Sequence, residues 1–351
     1  MRRAALLACT LLLACSAAPR PAGQADAGDP INPGADAGAP AEDSGSGPKA
    51  CGATDPRAVP AEGFVLPDAG EAPFVDAIGR ATKSLRVMVY QMGYGGILDA
   101  IVAKAKAGLD VRVILDGNTQ VGVNQKYKDA LEAAGAKVEW SDPAFSYMHA
   151  KVLVVDDVEA VVSTGNYLKS FLLKERNFAA RVADPQDVAD LGALFEADWA
   201  RKAPDLSCTR LVVSPVNARD RIVALISSAE KTLLVESMQM ADYGARKAIA
   251  ARKAAGVDVR VLIADPSWID ANTAAAADLG AKGVSARWMS SPQVHVKAIV
   301  VDGARAYLGS ENLSSTSLDK NREAGLFVTE APAVAAMTAT FEKDWASATS
   351  F

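Results

Sequence analysis

The chain has 351 residues, half of them hydrophobic and 23% charged, with a formal net charge of −5. That length suits two ordinary domains and excludes both a small disulfide-stapled scaffold and a wholly disordered chain. The acidic balance offers no global field to a polyanionic partner, and four Cys with only two His leave too few soft ligands for a usual zinc site, so neither metal nor cofactor is expected.

In chain order, Arg2 and Arg3, an apolar run from Ala4 to Ala14 and small residues around Cys15 have the layout of a secretory signal, too short to span a bilayer as a helix. The stretch Leu12-Leu13-Ala14-Cys15 resembles the lipobox of bacterial lipoproteins, although Leu13 is not the commonest residue at its position. On that resemblance Cys15 becomes the lipidated first residue of the mature chain and Ser16 favours the outer membrane; secretion without an anchor is the alternative. From Ser16 to about Pro60 the sequence is Ala, Gly, Pro, Asp and Ser with almost no large apolar side chain, which reads as a disordered tether. No other run approaches transmembrane length, so the protein is expected to be exported and anchored rather than to span. Cys9 falls in the signal, which leaves Cys51 and Cys208. Export to an oxidising compartment predicts a disulfide between them, two free thiols being the alternative. In the chain-entropy model so long a loop contributes up to ~5 kcal/mol.

Beyond residue 65 the chain reads as two copies of one unit. Lys106-Ala-Gly-Leu-Asp-Val-Arg-Val-Ile-Leu-Asp116 recurs as Ala254-Ala-Gly-Val-Asp-Val-Arg-Val-Leu-Ile-Ala-Asp265, each a helix ending at a glycine (Gly108, Gly256) followed by a β-branched strand. Further strands are expected upstream at Leu85–Met92 and Thr232–Met238. The interval from Gly108 to Trp140 equals that from Gly256 to Trp288, whereas Trp140 to His149 is longer than Trp288 to His295. The length difference sits in the loop Phe145-Ser146-Tyr147-Met148. Strands alternating with helices predict an α/β fold: two pseudosymmetric α/β/α sandwich domains, residues 61–207 and 208–351, with mixed, largely parallel sheets.

The only two histidines, His149 and His295, fall one per copy in matched surroundings: His149-Ala-Lys151-Val-Leu-Val-Val-Asp156 and His295-Val-Lys297-Ala-Ile-Val-Val-Asp302. Ser163-Thr-Gly-Asn166 and Gly309-Ser-Glu-Asn312 follow, with the same interval from His to Asn in both copies. His and Lys two apart project from one face of a strand, while Asp156 and Asp302 fall on the other parity at the strand end, where they suit a structural role. Doubling the cluster brings two imidazoles, two ammonium groups and two amides to one point. Such a site fits a phosphodiester, with donors on its non-bridging oxygens and imidazoles for covalent and proton chemistry.

This duplicated H-x-K-x4-D followed by a turn ending in Asn resembles the phospholipase D superfamily over roughly residues 65–351; Ser163-Thr-Gly-Asn166 departs slightly from the more usual form. The resemblance implies two sandwiches sharing one active site and a ping-pong mechanism. His149 attacks phosphorus, His295 protonates the leaving alcohol, Lys151, Lys297, Asn166 and Asn312 hold the equatorial oxygens, and no metal is needed. It also implies a partner for an active-site histidine at a set distance beyond the motif. The same count reaches Asn177 from His149 and Glu323 from His295. The expectation drawn from that asymmetry is that Glu323 serves His295, the proton donor, while His149 stays neutral as nucleophile. The alternative is that Asn177 and Glu323 cap local turns.

A membrane anchor and an acidic chain favour a lipid phosphodiesterase that hydrolyses or transfers the phosphatidyl group, with the Phe145–Tyr147 loop either facing the lipid interface or packing internally. The alternatives are an extracytoplasmic nuclease, which would want a basic groove, a cardiolipin synthase-like phosphatidyltransferase, whose usual members carry transmembrane helices ahead of the catalytic halves, and a non-catalytic scaffold, which both intact motifs oppose. Phospholipid at a membrane surface is the expected partner, nucleic acid the lesser one, and no obligate protein partner is expected.

Overall fold

The computed structural model of the chain describes Gly52 and residues 54–351. The signal, Cys15, the tether up to Cys51 and Cys51 itself lie outside the described residues. In chain order the first half runs β1 (Glu62–Leu66), α1 (Ala72–Arg80), β2 (Ser84–Val89), α2 (Gly96–Lys106), β3 (Asp110–Leu115), α3 (Val121–Ala133), β4 (Lys137–Trp140), β5 (Lys151–Val155), β6 (Glu159–Ser163), α4 (Lys169–Leu172), β7 (Glu175–Val182) and α5 (Pro185–Trp199). The second half runs β8 (Leu211–Ser214), α6 (Ala218–Ser227), β9 (Thr232–Ser237), α7 (Tyr243–Ala254), β10 (Asp258–Ala264), α8 (Ala271–Ala281), β11 (Ser285–Met289), β12 (Gln293–Val294), β13 (Lys297–Val301), β14 (Arg305–Gly309), α9 (Ser315–Asp319), β15 (Glu323–Val328), α10 (Ala331–Ser347) and β16 (Thr349–Ser350).

Each half builds one mixed sheet, ordered β1-β7-β6-β5-β2-β3-β4 and β16-β11-β10-β9-β13-β14-β15-β8. The repeated strand–helix–strand units supply the parallel pairs β2–β3–β4 and β9–β10–β11. The motif strands enter by hairpins and pair antiparallel, β5 with β2 and β6, β13 with β9 and β14. Gly108 and Gly256 close their helices at φ of 87° and 90°, a left-handed backbone that glycine adopts without strain.

The layering explains where the site lies. Outer cores pack α1, α2 and α3 on one sheet and α6, α7 and α8 on the other. Between the sheets, α5 and α10 share a third core that draws side chains from both halves, among them Val152, Phe178, Leu194, Ala298, Leu326 and Phe341. The described residues therefore form one compact unit. No helix among the described residues is long and apolar enough to cross a membrane. Cys208, just ahead of β8, is disulfide-bonded.

Candidate active site

β5 and β13 are the innermost motif strands, buried along their whole length. Each opens on a lysine, so Lys151 and Lys297 are held fully inside, and each Nζ turns back onto the carbonyl of its own histidine. At the far ends Asp156 and Asp302 take left-handed backbone, with φ of 53° and 55°. The Asp156 carboxylate accepts backbone N–H groups of Thr82, Lys83 and Ser84 at 2.7–2.8 Å, and Asp302 accepts those of Glu230, Lys231 and Thr232 at 2.7–3.1 Å. Against burial, which acts the other way, those bonds from Ser84, Thr82 and Lys83 hold the Asp156 carboxyl down at about 2. These two residues anchor the start of the neighbouring strand, as the parity of the sequence indicates.

The histidines are not held within their own halves. The His149 backbone N–H donates to the Arg322 carbonyl at 2.8 Å, and Met148 bridges to Arg322. Reciprocally, β12 leaves its own sheet to pair parallel with β7, and the His295 N–H donates to the Arg176 carbonyl at 3.2 Å. Each motif thus docks on the segment that follows the Asn-ended turn of the other motif.

This crossing corrects one expectation. Glu323 does not serve His295; its Oε2 lies 2.7 Å from His149 Nδ1, while His295 Nδ1 meets the Asn177 amide oxygen at 2.9 Å. The equal spacing in the two copies finds the right positions, but the pseudo-twofold exchanges the partners. Glu323 is buried and further held by Ser317 Oγ and by Asn321 Nδ2 at 2.5 and 2.8 Å. Burial pushes its carboxyl up, but the facing His149, Lys151 and Asn321 outweigh that and bring it below its usual value. An ionised Glu323 can only accept, so it fixes His149 as the Nδ1–H tautomer and leaves Nε2 with a free lone pair.

Burial also lowers the imidazoles and the lysines. His149 falls below its ordinary value against the pull of Glu323, and His295 falls well below, with Lys297, Lys151 and His149 adding to the burial. Lys297 comes down to about 7, chiefly through burial. Two ammonium groups in one dry site disfavour each other, an electrostatic field ready for an anion.

Among the described residues, the Oδ1 atoms of Asn166 and Asn312, in the turns that follow the two motif strands, are buried and lack a hydrogen-bond partner. The Phe145–Tyr147 loop packs against the site while staying half-buried: the Arg322 guanidinium sits 4.3 Å from the Phe145 ring, Tyr147 lies edge-on to Tyr90, and its carbonyl accepts the Arg322 N–H.

Other groups in the site stand outside the paired His, Lys, Asp and Asn positions. Tyr90, at the end of β2, lies edge-on to His149 at 4.8 Å with Lys151 Nζ over its ring, and Trp268 stacks near His295 at 6.3 Å. Glu311, in the motif turn itself, is fully buried and takes the Tyr307 hydroxyl; burial, with Glu323 nearby, pushes it up to about 8. Gly309 and Gly325 leave the passage Tyr307 needs, since a Cβ on Gly325 would lie 2.6 Å from its ring. The co-occurrence of Tyr307, Gly309, Glu311 and Gly325 in one copy alone was the available signal.

Two like halves, each lending its histidine to a strand of the other, with paired buried lysines and amides, define a two-copy member of the phospholipase D superfamily. Residues 74–199 and 222–345 match the family described as "Cardiolipin synthase, PLD-like domain", and the chain belongs to it. The chain is 22% identical over 322 residues to the probable cardiolipin synthase YwiE of Bacillus subtilis (strain 168), covering 78% of this chain and 64% of that one. It spans about three fifths of the length of the curated relatives it matches. Among solved structures, the phosphatidylserine synthase of Haemophilus influenzae Rd KW20 superposes with a TM-score of 0.60 at 14% identity, over 83% of this chain and 87% of that one. A polyphosphate kinase from Porphyromonas gingivalis gives 0.63 at 15% identity, over 80% and 50%. At such identities the likeness is one of fold.

Proposed function

We propose that the protein is a phospholipase D-type phosphatidyltransferase, similar in action to a cardiolipin synthase, working through a phosphohistidine on His149. The observation that carries this reading is the crossed pair: a histidine backed by an ionised carboxylate beside a histidine backed by an amide, each with its motif lysine buried against it. Glu323 on Nδ1 leaves His149 Nε2 as the nucleophile and compensates the positive ring once nitrogen is bonded to phosphorus. His295 gives its Nε2 proton to the departing alkoxide as the P–O bond breaks. It then takes a proton from the incoming alcohol, whose oxygen attacks phosphorus and releases His149. Lys151, Lys297, Asn166 and Asn312 would hold the non-bridging oxygens. Losing one such preorganised donor costs about 3–4 kcal/mol of transition-state stabilisation.

Hydrolysis and transfer share the first half-reaction and differ in the acceptor. The names of the curated relatives favour an alcohol over water. Phosphatidylglycerol is a donor and, through its terminal hydroxyl, an acceptor, and phosphatidyl transfer from one molecule to that hydroxyl of a second gives cardiolipin with release of glycerol. We read residues 1–15 as an export signal and Cys15 as the anchor that would hold the site beside phospholipid; labelled fatty acid incorporation that survives Cys15→Ser would remove the anchor.

The test is phosphatidylglycerol vesicles with the protein and His149→Ala, read by lipid mass spectrometry. Cardiolipin and free glycerol that vanish in the variant support the proposal. Phosphatidic acid alone would make the enzyme a hydrolase. No lipid product together with cleavage of single- or double-stranded DNA would make it a nuclease.

A further inference from the structure

The two halves carry the same three residue types in opposite order where each strand supports the other half's histidine: Glu175-Arg176-Asn177 opens β7, and Asn321-Arg322-Glu323 leads into β15. Around His149 the carboxylate touches the ring and the amide stands behind it, Asn321 Nδ2 donating to Glu323 at 2.8 Å. Around His295 the order is reversed. The Asn177 amide oxygen takes the ring at 2.9 Å, and its Nδ2 faces Glu175 Oε2 at 3.4 Å. Glu175 is buried and lies 3.6 Å from His295 Nδ1 itself. Residues two apart on a strand share a face, so the exchange keeps both groups directed at the same ring and alters only which stands first.

We propose that Glu175 is the positioning residue of His295, acting through the Asn177 amide to set how strongly that imidazole holds its proton. The inference rests on the acid–base role given to His295 above. A nucleophile gains from a carboxylate in direct contact, because the ring becomes cationic on phosphorylation and stays so until the acceptor attacks. An acid–base must release and recover its proton in every turnover, so a softer grip suits it, and an interposed amide weakens the carboxylate while keeping the ring aligned.

The surroundings of Glu175 make it sensitive near neutrality. Burial raises its carboxyl to about 7, opposed by Lys297 from β13, by the Asn177 amide and by Lys151 from β5. The charged groups facing His295 are Lys297, Lys151 and His149, all of which disfavour its imidazolium. An ionised Glu175 opposes all three. As pH rises and Glu175 ionises, His295 therefore holds its proton more firmly.

Because the chain has only two histidines, ring signals in histidine-labelled NMR spectra report His149 and His295 separately and without substrate, independently of which reaction the site performs. The expected result is that His295 signals in the wild type shift with an inflection at about pH 7, the value of Glu175. That inflection shrinks in Glu175→Gln to the part owed to Lys297, which titrates at about the same pH 3.4 Å from the His295 ring, while the His149 signals keep their titration. On phosphatidylglycerol, Glu175→Gln should lower kcat about tenfold with KM within about twofold, a typical loss for a group that orients a functional imidazole. The exchange variant Glu175→Asn/Asn177→Glu gives β7 the order found in the other half; it should recover kcat to within about threefold and move the His295 titration upward. Identical His295 titrations in the wild type and Glu175→Gln would overturn the proposal, as would a folded exchange variant no faster than Glu175→Gln. Where Glu175→Gln does not fold, the exchange variant decides alone: an unchanged His295 titration overturns the proposal and an upward shift upholds it.

Discussion

Glu323 Oε2 in the second half hydrogen-bonds His149 Nδ1 in the first at 2.7 Å. The bond ties the two copies of the motif into one machine, since neither half contains a histidine together with its own partner. Glu323→Gln keeps the shape and removes the charge that stabilises a cationic His149. We expect kcat for phosphatidyl transfer to fall about 100-fold or more with KM little changed. Steady-state kinetics on phosphatidylglycerol check this, and an unchanged kcat would return the residue to a structural role.

The arginines between the site residues fasten the same crossing. Arg176 pairs with Asp344 and donates to the Leu66 carbonyl, while Arg322 pairs with Asp198 and donates to the Ser214 carbonyl. Both pairs are nearly solvent-free and each joins one half to the other. Arg322→Met leaves Asp198 buried without its cation and should cost about 3–5 kcal/mol. The double variant Arg322→Met/Asp198→Leu should regain most of that loss, as read by denaturant titration. A double variant as unstable as the single would show that the guanidinium contributes through Ser214 instead.

Lys297 predicts an opposition between stability and activity. Its ammonium is lowered from 10.5 to about 7 by burial. Below pH 7 the folded and unfolded chains both carry the proton, and the penalty of a buried charge is fully present. Between pH 7 and 10.5 the unfolded state binds more protons, so this penalty fades as pH rises. Lys297→Met should therefore raise Tm by about 2–4 °C at pH 6, and by less at pH 9, while abolishing turnover. Calorimetry at the two pH values checks it; a lower Tm at pH 6 would contradict it. The same lowering predicts that kcat/KM for an anionic substrate declines as pH rises through about 7.

Asp156 predicts the opposite sign at low pH. Its carboxyl is depressed from 3.8 to about 2, so its contribution is present above pH 3.8 and is lost as pH falls through about 2. Asp156→Asn tolerates the left-handed backbone at φ 53° but weakens the bonds to Thr82, Lys83 and Ser84. A loss of about 1–2 kcal/mol is expected at pH 7, vanishing near pH 2. Denaturant midpoints at the two pH values measure it.

The repeat, both motifs and the role of Asp156 and Asp302 were legible because they depend on spacing along one strand, which the chain displays directly. The partner exchange was not. Asn177 and Glu323 stand equally far beyond the histidine of their own copy, yet which ring each meets is decided by Met148 bridging to Arg322 and by β12 joining β7. Those pairings run between halves, and no local periodicity records them. Tyr90 and Trp268 escaped for a similar reason, being ordinary aromatics that only the closed sheet brings to the histidines. Glu175 was visible beside Asn177, but its meaning depends on seeing the order reversed across the pseudo-twofold.

The most direct test of the crossed site uses a phosphodiester with a p-nitrophenolate leaving group, which needs no protonation to depart. In a His295→Asn variant, attack on phosphorus proceeds while the acceptor is left without a base, so the covalent adduct should accumulate. Acid-quench-free peptide mass spectrometry is predicted to find the phosphorus on His149 with a burst of about one p-nitrophenolate per chain, and His149→Asn should show none. An adduct on His295 in the His149→Asn protein, with none on His149 in the His295→Asn protein, would reverse the roles and contradict the account.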